Sequence, residues 1–275
     1  MSEVFDDGNA IHSVAAYQAW SAPQNLLDFA ERIWWQHGDP LHPAPQLLLP
    51  HAEPSLCLMQ SGETARLVVC GPARSPRLSA LHPGQRLLGI TLRPEAATAL
   101  CGVHPEDCVD EMVAPQRSMS EYFRPHIEDW SFQSSPLALA GLVSVLGDYI
   151  RQLDLPGQAD LEHIAAYRIR KTTGRIALGR LADDLDISPR QLRRRFIDRL
   201  GVSPKRYARE HRLAAAIGEA DAFVKPDWAA IAAGVGYCDQ AHLIADTRDL
   251  TGLTPVILHQ RRHGMTETSN TARRS

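Results

Sequence analysis

Residues 188–204 read Ser188-Pro189-Arg190-Gln191-Leu192-Arg193-Arg194-Arg195-Phe196-Ile197-Asp198-Arg199-Leu200-Gly201-Val202-Ser203-Pro204. Ser188 is placed to cap a helix, and Pro189 stands at its first position, where a missing N–H costs nothing. Leu192 and Phe196 lie four apart and point inward, while Arg190, Gln191, Arg193, Arg194 and Arg195 occupy much of the remaining surface. Gly201 permits the left-handed residue that ends such a helix, and Ser203 can cap the next one. Upstream, Ile176 to Leu185 reads as a shorter helix with Leu178, Leu181, Ala182 and Leu185 on its inner face. A short helix, a tight turn and a second helix with an apolar seam and outward guanidinium groups is a unit suited to a DNA groove. Arginine grips phosphate or binds guanine bidentately. The plain alternative is a solvated, solubilising face.

The unit occurs twice. At an offset of 50, Leu181-Ala182 matches Ile231-Ala232, and Leu185 and Ile187 match Val235 and Tyr237. Beyond one inserted residue the offset is 51: Leu192 pairs with Leu243, Gly201 with Gly252, Ser203 with Thr254 and Pro204 with Pro255. Two copies of one supersecondary unit are implied. The coupling of the arginines to a cap, a short apolar helix and a duplicate weighs against the solvated-face reading. The helix opening at Pro204 or Pro255 can offer backbone N–H groups to phosphate, with Lys205 and Arg206 beside the first.

Charge divides the chain in the same place. Residues 1–159 carry 9 Arg and no Lys against 18 Asp plus Glu, whereas residues 160–275 carry 20 Lys plus Arg against 14 Asp plus Glu. A phosphate backbone rewards the basic part through counterion release and repels the acidic part. The chain has 275 residues with 44% apolar and 22% charged, an ordinary globular composition long enough for two domains. No run of about 18 apolar residues is present and Asp6, Asp7 and Asp28 interrupt the first 30, so neither a membrane span nor a secretory signal is expected. The five cysteines include no Cys-x-x-Cys pair. A reducing cytoplasm is the expected location.

The first 115 residues contain short apolar runs bounded by Pro, Gly or His: Gln46–Leu49, Ser55–Met59, Ala65–Cys70 and Arg86–Leu92. They read as strands. Pro94–Leu100 reads as a helix opened by proline and closed by Gly102. From Ser118 the periodicity turns helical, and Leu137, Leu139, Leu142, Val143, Leu146, Ile150 and Leu153 form a stripe for either a dimer contact or the packing of two domains. Pro156-Gly157-Gln158 is the expected linker. The expected fold class is α+β in two domains. A β-rich, sandwich- or barrel-like N-terminal domain (1–117) and a helical connector (118–159) precede an all-α domain (160–265) of two helix-turn-helix subdomains joined by a long helix. A disordered tail (266–275) follows.

The residues Leu181-Ala182, Ser188–Leu192, Arg195-Phe196, Gly201–Pro204, Tyr207, Arg212-Leu213, Ile231-Ala232, Gly236-Tyr237, Asp239-Gln240, His242-Leu243 and Gly252–Pro255 resemble the AraC/XylS family of transcription regulators in order and spacing. The resemblance implies two helix-turn-helix subdomains joined by a helix at roughly Pro204 to Glu219, with the two recognition helices in successive major-groove segments. By position, the first presents Arg190, Arg193 and Arg194, and Arg195 falls at a more structural site. The second presents Gln240, Ala241, Ile244 and Ala245, with His242 and Arg248 alongside. In the second copy Ala245 and Thr247 stand where the family commonly has Arg and Phe, so one DNA contact and one core aromatic are expected to be missing. The N-terminal half is similar to the β-rich sensory domains attached to many such regulators. It carries Pro50-His51-Ala52-Glu53-Pro54 where a Pro-Asp-Gly turn is usual.

Enzymatic motifs are absent: no Gly-x-Ser-x-Gly, His-Glu-x-x-His, Walker-type loop or dinucleotide fingerprint occurs. His37, His42, His51, His82 and His104 lie in the β-rich half without a His-x-His pair. Trp34, Trp35 and His51 are candidates for an effector site, against core packing for the aromatics. Cys101 and Cys108 are either a redox pair or inert thiols. The leading expectation is a non-enzymatic, sequence-specific regulator that needs no cofactor. Double-stranded DNA, a small-molecule effector, a second copy of the chain and, for an activator, RNA polymerase are its partners, and a membrane is not. DNA contacts fall to Arg190, Gln191, Arg193, Arg194, Lys205, Arg206, Gln240, His242 and Arg248. The competing readings are a metal-dependent barrel enzyme with a helical appendage, and a degenerate regulator acting through protein contacts.

Overall fold

Among the described residues the N-terminal half forms nine strands: β1 Ala10–Val14, β2 Tyr17–Ser21, β3 Ala30–His37, β4 Pro45–Leu48, β5 Ser55–Ser61, β6 Thr64–Cys70, β7 Arg77–Ala80, β8 Gln85–Leu92 and β9 Met112–Val113, with the four apolar runs falling in β4, β5, β6 and β8. The structure is a computed structural model and describes residues 10–14, 17–37, 45–81, 84–131, 133–153 and 160–262. The expected linker at 156–158, the histidines at 42 and 82 and the tail lie outside these residues.

Seven strands form one antiparallel sheet in the order β1-β2-β3-β8-β5-β6-β9, and β4 pairs with β7 separately. The registers Leu56↔Ile90, Leu58↔Leu88, Leu56↔Val69, Leu58↔Leu67 and Ile33↔Ile90 place all these apolar side chains on one face. That face is covered by α1 (Pro94–Cys101), α2 (Arg117–Ser131) and α3 (Ser135–Gln152). Ala138, Leu139, Leu142, Val143, Leu146 and Tyr149 of α3 are buried in the same core as the strands. The apolar stripe of α3 therefore serves neither of the two expected purposes. It roofs the sheet. Periodicity along one helix shows that a face is buried but not which partner covers it.

The C-terminal half is α4 Leu161–Lys171, α5 Leu178–Asp184, α6 Pro189–Leu200, α7 Pro204–Ala220, α8 Trp228–Val235, α9 Gln240–Thr251 and α10 Pro255–Arg262. Two separate cores result. One gathers Ala165, Ala166, Ile169, Leu181, Ala182, Leu192, Phe196, Leu200, Tyr207 and Ala208. The other gathers Leu213, Ala216, Ile217, Ala220, Trp228, Ile231, Val235, Leu243, Leu250 and Leu258. The first half of α7 closes one lobe and its second half closes the other, so the long helix is a shared wall. Helices α5–α6 and α8–α9 are the two motifs foreseen from the repeat.

Candidate nucleic-acid interface

Helix α6 is set by local chemistry. Ser188 Oγ accepts from the Gln191 N–H at 3.2 Å, and Gln191 Oε1 accepts from the Ser188 N–H at 2.9 Å, a reciprocal capping box. The helix ends at Gly201, whose φ of +70° is left-handed, and its counterpart Gly252 has φ +71°. Ser203 then caps α7 by accepting from the Arg206 N–H. Between these ends Leu192, Phe196 and Leu200 are buried, and Phe196 packs on Tyr207 with ring centroids 5.4 Å apart.

Arg190, Gln191, Arg193 and Arg194 are exposed on the outer face of α6. Arg195 turns back toward α4, its guanidinium 3.6 Å from Glu162. Lys205 is exposed at the start of α7. Arg206, expected beside it as a phosphate contact, is half-buried instead. It donates to Glu210 at 2.7 Å and to the Arg74 carbonyl at 2.6 Å, which ties α7 to the sheet half.

On α9, Gln240, Ala241, His242, Ala245 and Arg248 are exposed and Ile244 is half-buried. Asp239 caps the helix by accepting from the His242 N–H at 2.7 Å. Thr247, the counterpart of Phe196, is fully buried, and its hydroxyl donates to the Leu243 carbonyl at 2.7 Å. The aromatic is missing but the site is closed: a small side chain fills it and its one polar group is satisfied within its own helix.

Several residues that pattern reading passed over hold the two lobes together. Asp246 is buried, receives the Arg209 Nε and accepts the Tyr237 hydroxyl at 3.0 Å. Burial and the neighbouring Asp246 charge push the Tyr237 phenol well above its ordinary range. Arg212 donates to the Gly174 carbonyl in the first lobe while its guanidinium lies 5.4 Å from the Tyr237 ring centroid in the second. The run of Arg on α7 reads in sequence as surface charge, and only the fold shows that it points at both lobes.

The three effector candidates are not brought together. Trp34 and Trp35 are neighbours on β3 and so face opposite sides of the sheet. Trp34 lies over Gly89 and donates to Thr91 Oγ1 at 3.0 Å, whereas Trp35 packs on Trp20 at 4.5 Å between centroids. His51 is elsewhere. It lines a crevice of about 350 Å³ between the sheet half and the first lobe, with Pro72, Arg74, Pro105, Val109 and, from across the seam, Ile197 and Val202. His37 meets Ser135 Oγ at 2.6 Å, and His104 Nε2 meets the Asp198 carbonyl at the end of α6 at 2.9 Å.

Below the crevice the seam is ionic. Arg170 of α4, its side chain 8% exposed, donates to Glu95 Oε2 at 3.0 Å and to the Tyr207 hydroxyl at 2.8 Å, and its Nε lies 3.2 Å from Glu31 Oε1. His211 Nε2 of α7 lies 2.9 Å from Glu53 Oε1. Burial lowers the His211 imidazole, but the Glu53 carboxylate outweighs it and the net shift is upward. Burial raises Glu53, yet the His211 charge holds it well below the usual carboxylate range. Burial pushes the Glu210 carboxyl up to about 7 despite Arg206.

Residues 181–261 match the family model described as a helix-turn-helix domain. No curated protein sequence matches the chain. Among solved structures, the chain is similar to the C-terminal domain of AraT, a response regulator from Geobacillus stearothermophilus, at 22% identity over 43% of this chain and 97% of that one, with a TM-score of 0.35. It is also similar to ToxT from Vibrio cholerae, at 8% identity over 90% of this chain and 98% of that one, with a TM-score of 0.44. A ToxT structure with a bound unsaturated fatty acid gives 8%, 93%, 99% and 0.43 in the same order.

Two lobes of α5–α6 and α8–α9 on a shared helix define the class, a double helix-turn-helix domain. The family model covers this part of the chain, residues 181–261, as a helix-turn-helix domain. No helix among the described residues is long and apolar enough to cross a membrane.

Proposed function

We propose that the protein reads a specific DNA sequence chiefly through α6, with Arg190, Arg193 and Arg194 at base edges in the major groove and Gln191 and Lys205 at the phosphate backbone. The observation that carries this is the division of α6. Its apolar side is sealed into a lobe, while Arg190, Arg193 and Arg194 stand exposed and make no ion pair among the described residues. A guanidinium left unpaired over a helix face is available for bidentate contact with guanine or phosphate. Gln240, His242 and Arg248 on α9 form the second, weaker contact, with the cluster of Arg209, Asp246, Tyr237 and Arg212 fixing its pose. No covalent chemistry is involved.

The sheet half is the sensory part in this reading. The crevice beside His51 takes a small molecule, because its walls come from both the sheet half and the end of α6 and its size suits a compact ligand. The apolar stripe of α3 is consumed by the sheet core, so a homodimer would use another surface. Selection of genomic fragments by the purified protein, followed by a salt titration on the best one, tests the reading. A discrete consensus is expected, with affinity falling steeply as salt rises. Equal retention of all fragments, or binding insensitive to salt, overturns it in favour of a regulator acting through protein contacts.

A further inference from the structure

Three groups at the seam are not used by the DNA reading. Glu31 on β3, Glu53 in the segment before β5 and His211 on α7 each offer one ligand atom, and these atoms lie within 4.8 Å of one another around a common point. The Glu53 side chain is 6% exposed. Its Oε1 and the His211 Nε2 approach to 2.9 Å as an ion pair, and neither atom has a further hydrogen-bond partner among the described residues. A carboxylate oxygen and an imidazole nitrogen held together away from solvent are atoms that a divalent cation can take up in place of the proton between them.

Around these three groups Arg170 engages both Glu31 and Glu95, and Glu210 is paired with Arg206, so the cluster is walled by ion pairs on two sides.

We propose that Glu31, Glu53 and His211 form a divalent transition-metal site that clamps the linker helix α7 onto the sheet half. Two carboxylate oxygens and one imidazole nitrogen, with water in the fourth position, make a set suited to Zn²⁺. Donors about 2.0–2.2 Å from tetrahedral zinc sit about 3.4 Å apart, so the Glu53–His211 approach opens slightly and Glu31 closes in. The ligands come from 180 residues of sequence, and the site exists only where the two halves meet.

Full-length protein stripped with chelator and dialysed separately against Zn²⁺, Mn²⁺ and Mg²⁺ provides the test, with bound metal measured by atomic spectroscopy and affinity by chelator competition. One equivalent of Zn²⁺ per chain is expected, with Mg²⁺ not retained and the thermal midpoint raised by Zn²⁺. Glu31→Gln and His211→Gln are each expected to weaken Zn²⁺ at least tenfold. Glu31→Gln leaves the Glu53–His211 pair in place, so it carries the test should His211→Gln fail to fold. No saturable equivalent, Zn²⁺ held as tightly by the variants, or preference for Mg²⁺ overturns the proposal. These measurements use protein without DNA, so their failure leaves the DNA reading standing.

Discussion

The first lobe seals its core with Phe196 packed at a tilt on Tyr207, while the second places Thr247 at the equivalent position and bonds its hydroxyl to the turn behind. The outer faces differ in the opposite sense. Lobe one exposes Arg190, Arg193 and Arg194, whereas lobe two exposes Gln240, Ala241, His242 and Ala245. At the position of Arg195, lobe two has Asp246, buried and engaged by Arg209 and Tyr237. One unit thus turns its polar chemistry outward and its copy turns it inward. A shared backbone plan does not imply a shared role: in the function proposed above the first lobe is the reader and the second a brace.

The contrast is sharpest in stability. Phe196→Ala is expected to destabilise the protein by about 3–5 kcal/mol, because a large cavity opens in a lobe with few alternative packings. Urea denaturation followed by circular dichroism measures it, and a loss below about 1 kcal/mol would mean the two cores are less different than drawn. Next come the reading faces. Arg193→Ala and Arg194→Ala should each weaken operator binding by about 1–3 kcal/mol, whereas Gln240→Ala and His242→Ala should each cost less than about 1 kcal/mol. Fluorescence anisotropy on the selected fragment decides this, and a larger loss from the second pair would reverse the assignment of reader and brace. The smallest effect is expected at Thr247→Val. It keeps the volume and removes one hydroxyl bond, so stability should fall by about 0.5–1.5 kcal/mol. A gain in stability would show that the hydroxyl is a burden in that core.

Sequence revealed whatever short-range chemistry controls. Ser188-Pro189 and Gly201-Val202-Ser203-Pro204 mark helix ends because caps and left-handed residues act within one turn, and they recur as Asp239 and Gly252-Leu253-Thr254-Pro255. The strand runs at Ser55, Ala65 and Arg86 were legible for the same reason. The seam was not. Arg170 and Glu95 are 75 residues apart, and Arg206 reaches a carbonyl 132 residues away. No periodicity records such partners. Trp34 and Trp35 are a different case: their adjacency on a strand already separates them by the period-two rule, and treating them as one site overlooked it.

Helix α7 has 17 residues, which at about 1.5 Å per residue makes a rod of about 25 Å. Because Arg209 and Arg212 bolt that rod to both lobes, it works as a ruler rather than a hinge. If both lobes read DNA as proposed, the distance between the two half-sites of an operator is expected to be as strictly selected as its bases. Inserting about five base pairs between them would turn the second half-site to the far side of the duplex, where the braced lobe cannot follow.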